Sequence, residues 1–136
     1  MDDVGDVGDV GDVAASGLRR LCASIDLADG GVGVRFMVRR HGKDEPAFVI
    51  RHRGHPHAYL NRCAHVPMEM DWQPGEFFDS SGLYLICATH GALYAPDSGR
   101  CVSGRCDRRG LVALVVSEQD GQVFLIEEGS ERVGYE

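Results

Sequence analysis

Apolar positions in this chain fall in short runs with polar residues interleaved, and each run is closed by Gly, Pro, Asp or Asn. From Leu18 onward the runs are "LRRLCA" (18–23), "GVRFMVRR" (33–40), "PAFVIRH" (46–52), "HAYLNRC" (57–63), "GLYLIC" (82–87), "LVALVVSE" (111–118) and "QVFLIEE" (122–128). This length and alternation predict strands. Asp120-Gly121 between the last two runs predicts a two-residue hairpin turn. No window keeps a 3.6-residue apolar period for three turns. The expected class is therefore all-β, a small antiparallel sandwich or barrel.

The length of 136 residues suits one domain. Eighteen glycines and a single lysine, Lys43, favour turn-rich β structure over a helical bundle. The formal charge of −7 is concentrated at the ends. Residues 1–17 carry five Asp and no base, and 127–136 carry four Glu and one Arg, whereas 18–126 hold 13 Lys+Arg against 12 Asp+Glu. A near-neutral body excludes a nucleic-acid or membrane surface as the working face. The opening "MDDVGDVGDVGDV" is rich in glycine and like charge, so 1–17 is expected to be a disordered acidic tail. The folded domain is expected over 18–129, with 130–136 as a C-terminal tail. The opening lacks the basic region and continuous apolar run of a signal peptide or membrane anchor, so a cytoplasmic location is expected. Thiols stay reduced there, so five cysteines (22, 63, 87, 101 and 106) favour metal binding over a disulfide framework.

Several conspicuous residues read as structure. His52, His55 and His57 flank Gly54 and Pro56 at a hairpin tip, where strand alternation is expected to send His52 and His55 apart. Trp72, Met68 and Met70 are expected to pack internally. Pro74-Gly75 predicts a type II turn, and Cys22 an inert thiol in the first strand.

Two short stretches carry chemistry. "CAH" places Cys63 two residues before His65, and "CATH" places Cys87 three before His90, with 21 residues between the pairs. Each pair follows a predicted strand, hence each sits on a loop tip. A single zinc ion would accept Cys₂His₂. A [2Fe–2S] cluster with two thiolates on one iron and two imidazoles on the other would use the same four ligands. Zinc sites pair like ligands locally, whereas each loop here mixes one Cys with one His, which suits two irons drawing one ligand from each loop.

With these loops the sequence resembles the Rieske iron–sulfur family over about residues 18–126. "CAH" and "CATHG" match its two ligand loops, and "DSGRCVSG" (97–104) resembles the third loop, which in the family packs over the cluster. The resemblance implies the Rieske fold, a small β-sandwich or barrel carrying a cluster-binding subdomain of two ligand loops. It implies one [2Fe–2S] cluster, with Cys63 and Cys87 on the inner iron and His65 and His90 on the outer, solvent-facing iron. Tyr94 stands where a hydroxyl reaches a ligand sulfur in the respiratory members. The chain departs from those members at Met68 and Thr89, where they carry a disulfide, and at Ala92, where they carry a serine. The spacing of 21 implies an enlarged loop around "MEMDWQPGEFF" (68–78).

A Rieske cluster passes single electrons, and the chain has no room for the mononuclear iron domain of an oxygenase. The implied function is a soluble ferredoxin-like carrier without a substrate site of its own, taking electrons from a reductase and giving them to an oxygenase or other redox enzyme. The alternatives are a small subunit of a larger oxidoreductase, similar to the nitrite reductase small subunit, and a zinc-stabilised interaction module. Arg62, Arg100, Arg105, Arg108 and Arg109 are expected to form a basic fringe, either simply solvated or a collar around the histidines that steers an acidic partner. Cys101 and Cys106 are expected to be structural thiols, the alternatives being a local disulfide or a redox pair.

Overall fold

The computed structural model describes residues 17–63, 68–88, 91–104 and 109–127. The described residues form ten strands and one 3-10 turn, with no α-helix among them. The strands are β1 (Leu18–Ala23), β2 (Val34–Arg40), β3 (Lys43–His52), β4 (His55–Leu60), β5 (Leu85–Ile86), β6 (Leu93–Tyr94), β7 (Cys101–Ser103), β8 (Ala113–Leu114), β9 (Val116–Gln119) and β10 (Gln122–Ile126); the 3-10 turn is Ser24–Asp26. They build three antiparallel sheets, in the orders β1-β10-β9, β2-β3-β4-β8 and β5-β6-β7. The all-β expectation holds. Among the described residues no helix is long and apolar enough to cross a membrane.

The four-stranded sheet is the middle layer, because β3 is buried on both sides. Phe48 and Ile50 point into one core with Tyr59, Phe77, Leu85 and Tyr94, the core under β5-β6-β7. Ala47 and Val49 point the other way, into cores shared with Val123 and Leu125 of β10. Alternation therefore produces four consecutive buried residues in β3 rather than a two-faced strand. Phe48 stacks on Phe77 with ring centroids 3.8 Å apart, which fixes the segment after residue 70 against the sheet.

Three hairpins share one turn chemistry. His41-Gly42, Arg53-Gly54 and Asp120-Gly121 all take positive φ at both positions, as a two-residue turn matched to strand twist requires. Asp120-Gly121 is legible in the sequence; the other two put His and Arg where Asn or Asp is usual. The Arg53-Gly54 turn corrects the expectation for the histidines. It registers His52 directly opposite His55, so the two share a face. His52 is buried and stacked near Phe78, while His55 is exposed. Among the described residues no group of three His, Cys, Asp or Glu could hold a metal. The hairpin tip is held by Asp29, which accepts the amides of Arg53 and Gly54 at 2.8 and 2.6 Å.

The predicted strand 111–118 divides at Val115: β8 pairs with β4, and β9 pairs with β10 in the other sheet. The predicted 82–87 shortens to β5, and β4 starts earlier than expected, at His55. Pro56 is tolerated there because β8 covers only Ala58 and Tyr59, leaving that stretch an edge. Of the stretches read as tails, 1–16 and 130–136 lie outside the described residues, as do 128 and 129.

Candidate metal centre

Cys63 and Cys87 lie in one core with Tyr94 and Ala92, and both are fully buried. Neither is in a disulfide. Cys63 follows β4, and Cys87 follows β5. The two loops are joined through a third segment, the one the sequence marks as enlarged. The Cys63 amide donates to the Met68 carbonyl at 2.8 Å, and the Ala88 amide donates to the Met70 carbonyl at 2.9 Å. Residues 68–70 thus strap the first cysteine loop to the second.

The strap is anchored by buried polar groups. Asn61 accepts the Met70 amide at 2.8 Å and donates to Asp71 at 2.9 Å. The Asp71 side chain is 0% exposed, also accepts the Gly75 amide at 2.9 Å, and lies 3.4 Å from the Arg35 guanidinium. Gly75 takes φ 87°, as the Pro74-Gly75 turn demands, and its carbonyl accepts the Gly33 amide. A buried carboxylate is stable only when its lone pairs are used in this way.

On the other side, β5-β6-β7 carries the second cysteine loop and the third loop together. The Cys87 amide donates to the Ala92 carbonyl, and the Gly91 amide donates to the Cys87 carbonyl at 2.7 Å. Gly104 sits on Ala92 so closely that a Cβ on it would lie 2.8 Å from the Ala92 Cα. The third loop is therefore seated directly on the second. The Tyr94 hydroxyl lies 3.6 Å from the Cys63 sulfur, and the side chain is fully buried.

His65 and His90 lie outside the described residues, as do Thr89, Arg105, Cys106 and Arg108. Cys101 is in a disulfide, so it is not the free structural thiol expected. Cys22 is buried, and burial pushes its thiol up, consistent with an inert packing group.

One expectation fails near the thiol pair. Met70 is buried, but Met68 is 45% exposed and Trp72 81% exposed, so the enlarged loop presents apolar groups to solvent. Of the five arginines singled out in the sequence, Arg105 and Arg108 lie outside the described residues. Arg62 is paired with Glu45. Arg100 lies at the end of β7 remote from Gly104, bonded through its carbonyl to Ala95. Arg109 adjoins Gly110, whose Cα hydrogens face the Gly99 carbonyl beside Arg100.

Two buried thiols on adjacent loops, a hydroxyl aimed at one of them and a third loop packed over the second fit an iron–sulfur centre. The protein comparisons agree. A family model described as the Rieske [2Fe–2S] domain matches residues 19–125. The chain belongs to this family, whose domain implies a [2Fe–2S] cluster. Among solved structures it resembles the ferredoxin of carbazole 1,9a-dioxygenase from Nocardioides aromaticivorans IC177 (20% identity, 82% of this chain and 98% of that one, TM-score 0.64). It also resembles a ferredoxin of Sphingomonas yanoikuyae B1 (21%, 80% and 96%, TM-score 0.60). The terminal oxygenase of carbazole 1,9a-dioxygenase from Novosphingobium sp. KA1 matches over 84% of this chain but 30% of its own length (23%, TM-score 0.63). At these identities the likeness establishes the fold. No curated protein matches the chain.

Proposed function

We infer that this protein is a ferredoxin-like electron carrier, with one [2Fe–2S] cluster held by Cys63, His65, Cys87 and His90. The observation that carries the reading is the pair of buried cysteines, outside any disulfide, on two loops strapped together within a Rieske domain. By the family's pattern Cys63 and Cys87 take the inner iron, and His65 and His90 the outer. The cluster supplies one-electron chemistry when bound. Tyr94 directs a hydroxyl at the Cys63 sulfur, and the strap and third loop exclude water from the cysteine side. The match spans nearly all of the related ferredoxins and under a third of the oxygenase, which favours a carrier serving a separate redox enzyme. A solved complex of an oxygenase with its ferredoxin, for carbazole 1,9a-dioxygenase, gives the type of acceptor. The donor is a reductase, and the cytoplasm is the expected compartment.

The test is metal and sulfide analysis with a reductive titration. Iron and acid-labile sulfide should be present in equal amounts, and the visible absorption should bleach with one electron per chain. Serine at Cys63 or Cys87, or alanine at His65 or His90, should abolish it. A colourless protein holding zinc would refute the reading.

A further inference from the structure

We propose that Trp72, with Met68, is the apolar anchor by which this protein docks a redox-partner protein beside its two cysteine loops; this rests on the carrier reading above. Trp72 is 81% exposed and Met68 45%, yet the residues between them are fixed. Met70 is fully buried, Asp71 has a 0% exposed side chain, and the strap is bonded to Asn61, Cys63, Gly75 and Ala88. An exposed aromatic on a clamped loop loses little conformational entropy when it is covered, the property of a binding hot spot. Packing does not require Trp72 to face solvent, because the turn closes through Pro74-Gly75 and Phe77 fills the core.

The charges around the anchor indicate what covers it. Glu69 is neutralised by Arg35 at 2.8 Å, and Arg62 by Glu45. Arg100 lies at the opposite end of β7. Glu76, exposed on the turn that follows Trp72, has no ion pair among the described residues. The rim therefore combines paired charges with a free acid, which matches an apolar recess with few charges at its border rather than an acidic face. Size decides between a transient partner and a second copy. A tryptophan contributes about 150–250 Å², whereas a stable interface needs about 800 Å² from each side. A small anchor suits a partner that must leave after each electron. Position supplies the redox role. Trp72 is two residues from Met70, whose carbonyl holds the second cysteine loop, so whatever seats on Trp72 lies close to the thiol pair.

The experiment places a photo-crosslinking benzophenone side chain at position 72 and, as a control, at Ile25, which is 89% exposed beyond β1. Both full-length proteins are irradiated in the native extract, and adducts are identified by mass spectrometry. The protein captured is then purified, and its reduction by wild type and by Trp72→Ala is followed by stopped flow across a range of salt. The expected result is an adduct at 72, absent at 25, with a protein containing iron or flavin. Trp72→Ala should slow transfer roughly ten-fold or more at sub-saturating concentration, with little salt dependence and an unchanged visible spectrum and potential. Equal capture at both positions, capture of only a second copy or of a protein without a redox centre, wild-type rates in Trp72→Ala, or a steep fall in rate with salt would each overturn the proposal. Iron and sulfide content of the same samples separates the two claims. A chain without a cluster fails the carrier reading, while a cluster-bearing chain indifferent to Trp72 fails only this one.

Discussion

The Tyr94 hydroxyl stands 3.6 Å from the Cys63 sulfur, inside a core from which water is excluded. That distance suits an O–H···S contact to a thiolate. A donor to a cluster sulfur favours the reduced, more negative state and so raises the potential. Tyr94→Phe keeps the ring and its packing and removes only this donor. The potential should fall on the order of tens of mV, with thermal stability little changed. Voltammetry of the two proteins side by side checks this; equal potentials would show that the hydroxyl has no influence on the sulfur.

Asn61, Asp71 and Gly75 form the second relationship of consequence, because the strap they hold links both cysteine loops. Asp71→Ala leaves the Asn61 amide and the Gly75 amide without an acceptor in a buried place. The expected cost is about 2–3 kcal/mol, seen as a lower denaturant midpoint. Cluster loss under a chelator should also quicken, since the loops open more often. Wild-type bleaching kinetics in Asp71→Ala would mean that the strap does not hold the loops.

The two cysteines were the most legible part of the candidate site. Cys63 and Cys87 stand out by residue type and spacing and are found buried in one core, outside any disulfide, whereas His65 and His90 lie outside the described residues. Long strands with alternation, such as β2, β3 and β10, were legible for a similar reason, since period 2 is a direct consequence of backbone geometry. The β6 and β7 strands were not, because two or three residues contain no period. Asp71 reads as a surface acid and is buried; only its partners Asn61, Gly75 and Arg35 make that burial tolerable. Trp72 reads as a core residue and is exposed, because mean burial of tryptophan says nothing about a loop whose core position is already taken by Phe77. The pairing of Arg62 was not legible, because net charge along a segment does not report it, and Glu45 meets Arg62 only through the register of β3 and β4.

Arg51 and Glu118 give a pH prediction. Arg51 donates twice to Glu118, at 2.6 and 3.0 Å, and once to the Leu27 carbonyl at 2.6 Å, tying β3 to β9. Hydrogen bonding from Arg51 pulls the Glu118 carboxyl down from 4.5 to about 2. A depressed carboxyl contributes stability that is fully present above the unfolded value and lost as pH falls through the folded one. The contribution should therefore be intact above about pH 4.5 and fade towards pH 2. Glu118→Gln should lower stability at pH 7 and show a shallower loss between pH 5 and 3 than wild type, followed by circular dichroism at matched denaturant. Parallel curves for the two proteins would remove Glu118 from the acid response.

Gly104 tests how the third loop is seated. Its φ of 101° lies in the region open to glycine, and a Cβ there would meet the Ala92 Cα at 2.8 Å and its Cβ at 3.2 Å. Both contacts are with the loop that carries Cys87, so the third loop cannot shift sideways without losing its cover. Gly104→Ala combines backbone strain with overpacking, about 1–3 kcal/mol for each. The expected result is a protein that still folds, with a lower melting temperature and faster bleaching of the cluster by oxygen or chelator. Ser103→Ala is the control, because Ser103 is exposed on β7 and registered opposite Leu93. If both variants bleach at the wild-type rate, the contact between Gly104 and Ala92 protects nothing. If only Gly104→Ala bleaches faster, the third loop is the cover that the packing at Ala92 implies.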